Sequence, residues 1–172
     1  MIDPTGWTDI GGEKFAPGFF AFNSEVGRRS VGITTFWYQE ICGNHVCWQC
    51  ADIVSMNRKH TRGVGDALTE IRTAIARLVE RRDAARDQFT ALIRKAMAEP
   101  TGDRDETLSI LADQGINRAI AKKAVDLAVS RGQRFTIWSM VDALTQLSRG
   151  SLYAATRVEA DQRASSLLAL AA

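Results

Sequence analysis

Ser30-Val31-Gly32-Ile33-Thr34-Thr35-Phe36-Trp37-Tyr38-Gln39-Glu40-Ile41 is the stretch on which the reading of the fold turns. β-branched and aromatic residues crowd it, the composition of a half-buried strand. Immediately before it, Phe19 to Phe22 reads as a shorter strand, and Asn23 to Arg29 as a turn centred on Gly27. Immediately after it, Cys42 to Cys50 reads as a turn, and Asp52 to His60 as a third strand that a helix would also fit. Short connections between such strands predict an antiparallel meander. Upstream, Pro4, Gly6, Gly11, Gly12, Pro17 and Gly18 predict an irregular arm over residues 1–18, docked by Phe15.

Downstream the periodicity changes. Val64, Leu68, Ile71, Ile75, Leu78, Arg82, Ala85, Phe89, Leu92 and Ala96 follow one another at alternating steps of four and three. That spacing is the apolar seam of one long helix, interrupted only at Arg82 and closed by Pro100. At 1.5 Å per residue it would be a rod of roughly 50 Å. Such a seam serves either to pack on later helices of the chain or to join copies of it. Residues 103–131 predict a helical hairpin, with stops at Gly115 and Gly132 and a cap at Asn117. Arg118, Lys122, Lys123 and Arg131 give its second helix a basic side that reads as a solvated face. Thr136 caps the first of the C-terminal helices, which occupy residues 136–170. The expected class is α+β: a small β-meander over residues 1–63, then a long helix (64–98) and a helical bundle within residues 64–172, all one compact unit.

The totals set limits. With 172 residues, 45% hydrophobic, the chain can bury a substantial core. A net charge of +2 does not by itself announce a nucleic-acid partner. No apolar run approaches the roughly 20 residues of a membrane span. Met1-Ile2-Asp3-Pro4 lacks the basic start and apolar core of a secretory signal. Three cysteines, an odd number, fit a reducing compartment. A cytoplasmic protein without a membrane partner is the expectation.

Three kinds of chemistry compete for the central stretch. Cys42, His45, Cys47 and Cys50 offer four soft donors, and His60 lies within reach in sequence, so zinc is one reading. Against it, four ligands in one short loop do not easily surround an ion, and buried free cysteines often serve as small apolar residues. A Cys42–His45 nucleophile oriented by Glu25 has no oxyanion signature around it, and Glu40 and Asp52 stand without partner acids. No phosphate-cradling glycine motif is present. A nucleic-acid surface would pair Arg28, Arg29, Arg58, Lys59 and Arg62 with Trp37 or Trp48 as stacking platforms, the combination that single-strand binders use. The same residues also fit a core of aromatics with a charged sheet edge.

Asn23-Ser24-Glu25-Val26-Gly27, then Cys42-Gly43-Asn44-His45 with Trp48, then Arg58-Lys59-His60-Thr61 carry a resemblance. In this order they resemble the C-terminal half of the phage/plasmid-like protein family, whose activity is not settled. Trp138 to Leu147, with Asp142-Ala143 and Thr145-Gln146, and Arg157 and Glu159 also fit its pattern. Cys47 and Cys50 do not belong to it, which weighs against zinc. The resemblance implies a protein of mobile elements, with Asn23, Ser24, Glu25, Gly27, Asn44, His45 and His60 as motif residues. It also implies that the family's N-terminal half is absent from this chain. Asn44 and His45 are expected to satisfy polar groups within their own turns. The combined expectation is a non-enzymatic accessory protein that binds single-stranded DNA as a homo-oligomer. The alternative is an interaction protein for a host or phage partner engaged in defence or replication.

Overall fold

In the computed structural model the described residues are 2–22, 32–40, 43–47 and 64–172. The fold class is α+β, as the sequence indicates: an antiparallel sheet followed by helices. Four strands, β1 (Thr8–Ile10), β2 (Glu13–Phe22), β3 (Gly32–Gln39) and β4 (Asn44–Val46), pair in sequence order.

The supposed irregular arm is structured. Gly11 and Gly12 both hold positive φ (64° and 86°) and join β1 to β2 by a two-residue hairpin turn, a geometry open to glycine and strained for other residues. β1 pairs only with Glu13 to Phe15. Pro17 therefore lies past its end, where a missing N–H breaks no β1 bond. There the first residues take over: the Asp3 amide donates to the Pro17 carbonyl at 2.9 Å, and Ile2 bridges Gly18. The second strand thus starts at Glu13, six residues ahead of the Phe19 start expected from composition. The turn at 23–29 and the third strand at 52–60 lie outside the described residues.

The helices are α1 (Val64–Ala98), α2 (Arg104–Asp113), α3 (Arg118–Ser130), α4 (Ile137–Ser148) and α5 (Ala154–Ser166), closed by a 3-10 turn over Leu167–Ala171. Their starts follow capping chemistry. Asp103 and Glu106 form a reciprocal capping box on α2, Asn117 caps α3, and Thr136 and Ser139 form a second box on α4. Pro100 ends α1, and the chain there pairs with the entry to α4: the Thr101 amide donates to the Phe135 carbonyl and the Ile137 amide to the Glu99 carbonyl.

Sheet and helices share one core. Ile10, Phe15, Trp37 and Val46 from the strands pack with Phe89, Leu92, Ile93 and Ala96 of α1 and with Trp138 and Met140 of α4. Phe89 stacks on Trp37, with ring centroids 4.3 Å apart and planes 5° from parallel, and meets Phe15 edge to face at 5.5 Å. Among the seam residues whose side chains are described, Phe89, Leu92 and Ala96 are engaged in this way. Farther up the helix Val79 is 64% exposed and Ala85 is exposed, while Arg82, at the break in the seam, faces Asp3 at 3.4 Å.

Candidate functional site

Gly43 starts the site. Its φ of 59° turns the chain from β3 into β4, and its amide donates to the Gln39 carbonyl at 2.9 Å. A side chain there would be strained by the backbone, although its Cβ would meet the Tyr38 hydroxyl at ordinary contact distance. The register that results pairs Gln39 with Asn44 and Tyr38 with His45. Because Phe15 also pairs with Gln39, the row Phe15–Gln39–Asn44 crosses the sheet on one face. Tyr38 and His45 share the other.

Asn44, fully buried, is the hub of a polar network. Its amide nitrogen donates to Gln39 Oε1 and to Asp142 Oδ1, both at 3.0 Å. Two oxygen acceptors fix the orientation of this amide, and an aspartate here would set two carboxylates against each other. Asp142, 3% exposed on α4, accepts from Arg131 Nη1 at 3.0 Å through its second oxygen, and Arg131 also donates to Gln146. On the sheet side Gln39 Nε2 donates to Glu13 Oε2 at 2.7 Å, and the Trp138 indole donates to Glu13 Oε1 at 3.1 Å. Burial pushes the Glu13 carboxyl above the ordinary glutamate range, and the nearby Asp142 charge pushes the same way. The bonds from Trp138 and Gln39 and the Arg131 charge pull against them.

His45 belongs to a second cluster. Its Nδ1 lies 3.6 Å from Oδ2 of Asp161, which is wholly buried on α5. The same oxygen lies 3.6 Å from Arg157 Nε, and Ser148 donates to the other carboxylate oxygen. Arg157 Nη2 donates to the Gly43 carbonyl at 3.2 Å, and the Cys47 amide donates to Ser165 Oγ at 2.8 Å. The His45 ring lies 4.4 Å from Phe36, centroid to centroid. Asn44 serves its own turn through Gln39, but the reach of both residues extends well beyond it. They sit on a strand and bind that strand to α4 and α5, about a hundred residues downstream. Gln39, Glu13, Ser148 and Asp161 had no signal of their own in the sequence, Arg131 stood out only as part of a basic helix side, and Asp142 and Arg157 only within the resemblance.

The candidate ligands and contact residues fare differently. Cys47 is buried, and among the described residues no three His, Cys, Asp or Glu side chains gather as a metal site. Cys42, Cys50 and His60 lie outside the described residues, as do Asn23, Ser24, Glu25, Gly27, Arg28, Arg29, Trp48, Arg58, Lys59 and Arg62. Trp37 is described, and it corrects the stacking proposal. At 8% exposure, with its ring stacked on Phe89, it is a core side chain and no platform for a base. The basic side of α3 also changes. Arg118, Lys122 and Lys123 are exposed, but Arg131 turns inward to Asp142. Among the described residues no helix is long and apolar enough to cross a membrane. No protein-family model, curated protein or solved structure matches the chain.

The raised Glu13 pKa makes a pH prediction whose sign follows from linkage. The folded state holds this proton more tightly than the unfolded state. Its contribution to stability is therefore complete below the ordinary glutamate range and is lost as pH rises through the folded value. Glu13→Gln is expected to carry a constant penalty of about 1 kcal/mol for one misaligned hydrogen bond. Superimposed on it, its melting temperature should gain on wild type steadily as pH rises from the ordinary glutamate range. Parallel melting curves for the two proteins across that range would contradict the assignment.

Proposed function

We propose that this chain is a non-enzymatic accessory protein of the phage/plasmid-like class that binds single-stranded nucleic acid as an oligomer. The observation that carries the reading is the exposed part of α1. It continues directly from the sequence that holds Arg58, Lys59 and Arg62, and it presents Arg72, Arg77 and Arg81 to solvent. Among the described residues its ion pairs join Arg82 and Arg86 to Asp3, Asp83 and Asp87, and these three arginines take no part in them. Arg77 and Arg81, about one turn apart on one face of the helix, with Arg72 on the opposite side, offer exposed positive charge that suits the phosphate backbone of a flexible strand. Exposed Val79 on the same stretch supports oligomerisation along the rod. The carboxylates of the central site support a structural role over a catalytic one, because Glu13, Asp142 and Asp161 are each engaged by donors of this same chain.

Anisotropy titrations with single- and double-stranded oligonucleotides at several salt concentrations test this. The double variant Arg77→Gln, Arg81→Gln should reduce the salt slope of log K by about 1.4, at roughly 0.7 per lost single-strand phosphate contact. Its melting temperature should not change. Absence of binding at low salt would remove the proposal, and light scattering with and without oligonucleotide reads the oligomer.

A second reading, an interaction protein for a host or phage protein, is favoured by exposed apolar side chains in the helical half. Leu152 is 92% and Tyr153 73% exposed, side by side ahead of α5. A partner captured by wild type and lost by Leu152→Asp/Tyr153→Asp would support it.

A further inference from the structure

α3 and α5 both pack along α4, yet they make little contact with each other. The gap between them is a cleft of about 370 Å³. Its volume falls near the lower end of the roughly 300–1,000 Å³ of ligand-binding clefts. Leu144 and Leu147 of α4 line it, Ile120 and Lys123 belong to the α3 side, and Glu159 and Arg163 to the α5 side. Ile120 is 47% exposed although it faces an apolar cleft. Its lining includes Ser148 and Thr156, which flank the turn that carries exposed Leu152.

Three helices in this arrangement leave one position open. Two walls and a floor made of helices present ridges and grooves that a further helix fills more completely than an extended peptide or a small molecule. The charge of the rim selects the flanks of that helix. Lys123 on one wall and Arg163 on the other outweigh the single carboxylate of Glu159, so acidic residues are favoured beside the apolar stripe. We propose that this cleft is the docking site for an amphipathic helix of a partner protein, with apolar anchors at i, i+3 or i+4, and i+7, flanked by Asp or Glu. This inference rests on the second reading above and names the partner's chemistry.

The test is selection of a phage-displayed random peptide library against the intact chain, followed by binding of the enriched peptides to variants. Enriched peptides should carry the helical apolar spacing with acidic flanks. Ile120→Asp, a change at a half-exposed position, should weaken them by tenfold or more, as loss of an interface anchor does. Lys123→Glu with Arg163→Glu should switch the preference to lysine-flanked peptides. Circular dichroism should show both variants folded. Selection without helical spacing, or enriched peptides that bind Ile120→Asp as well as wild type, would overturn the proposal. So would light scattering in which the chain alone is a dimer that Ile120→Asp dissolves, since the occupant would then be a second copy. A partner pulled down equally by wild type and Ile120→Asp, but lost with Leu152→Asp/Tyr153→Asp, would overturn the cleft while upholding partner binding itself.

Discussion

Phe89→Ala is expected to lower the unfolding free energy by about 4 kcal/mol, the range for deleting a fully buried phenylalanine. Phe89 is 1% exposed and stands where α1 meets the sheet. It stacks on Trp37 of β3 and meets Phe15 of β2 edge to face, and Phe15 in turn meets Trp138 of α4 at 5.4 Å. Removing its ring leaves a cavity bounded by the rings of Trp37 and Phe15, and rings held in a sheet collapse poorly into such a space. At about 2–4 °C per kcal/mol for a chain of this size, the melting temperature should fall by about 8–16 °C. Val79→Ala on the same helix provides the comparison. Val79 is 64% exposed, so the loss there should stay within about 0.5 kcal/mol. Equal effects at the two positions would mean that α1 is anchored along its whole length and not chiefly at its C-terminal third.

The second large effect is expected at Asp142. Asp142→Ala removes an acceptor shared by Asn44, which is fully buried, and Arg131, whose side chain is 28% exposed, and among the described residues leaves them only Gln39 and Gln146 as side-chain acceptors. Breaking a buried pair of this kind costs about 3 kcal/mol, chiefly through the groups left behind. Asp142→Asn keeps an oxygen for one donor and should lose about half as much. Urea denaturation of the two single variants and of Asn44→Ala/Asp142→Ala gives the coupling between the strand and the helix, expected at about 1–2 kcal/mol. A coupling near zero would mean that Asn44 and Asp142 do not act together, and the central network would lose its role as the tie between sheet and bundle.

The legible parts of this protein were local. The alternating steps from Val64 to Ala96 predicted α1 because helical periodicity repeats within a few residues. Asn117 and Thr136 marked helix starts because a cap bonds to amides two or three residues away. Gly11-Gly12 was read as a sign of irregularity, yet it was a hairpin signal, since two successive glycines at positive φ join β1 to β2. The composition of residues 1–18 concealed that pairing, which depends on Thr8 meeting Phe15 across the turn.

The central site was legible as a cluster and not as an arrangement. Cys42-Gly43-Asn44-His45 stood out in the sequence, and nearness in sequence suggested that its polar groups serve one another. In the fold, β4 instead aims Asn44 at Asp142 and His45 at Asp161, and β3 places Trp37 under Phe89. None of these partners lies within the reach of a local motif. A strand alternates its side chains with period two, so its sequence says that Trp37 and Tyr38 face opposite ways but not which of them meets the core.

The sequence alone determined the α+β class, the long helix and its end at Pro100, and the caps of the later helices, because periodicity, proline and capping act over a few residues. The tertiary structure alone decided that Asn44 and His45 bind the sheet to the bundle, that Trp37 belongs to the core, and that a cleft stays open between α3 and α5. Those outcomes depend on which faces meet across about a hundred residues, and burial turns such meetings into hydrogen bonds, ion pairs and packing that no local pattern encodes.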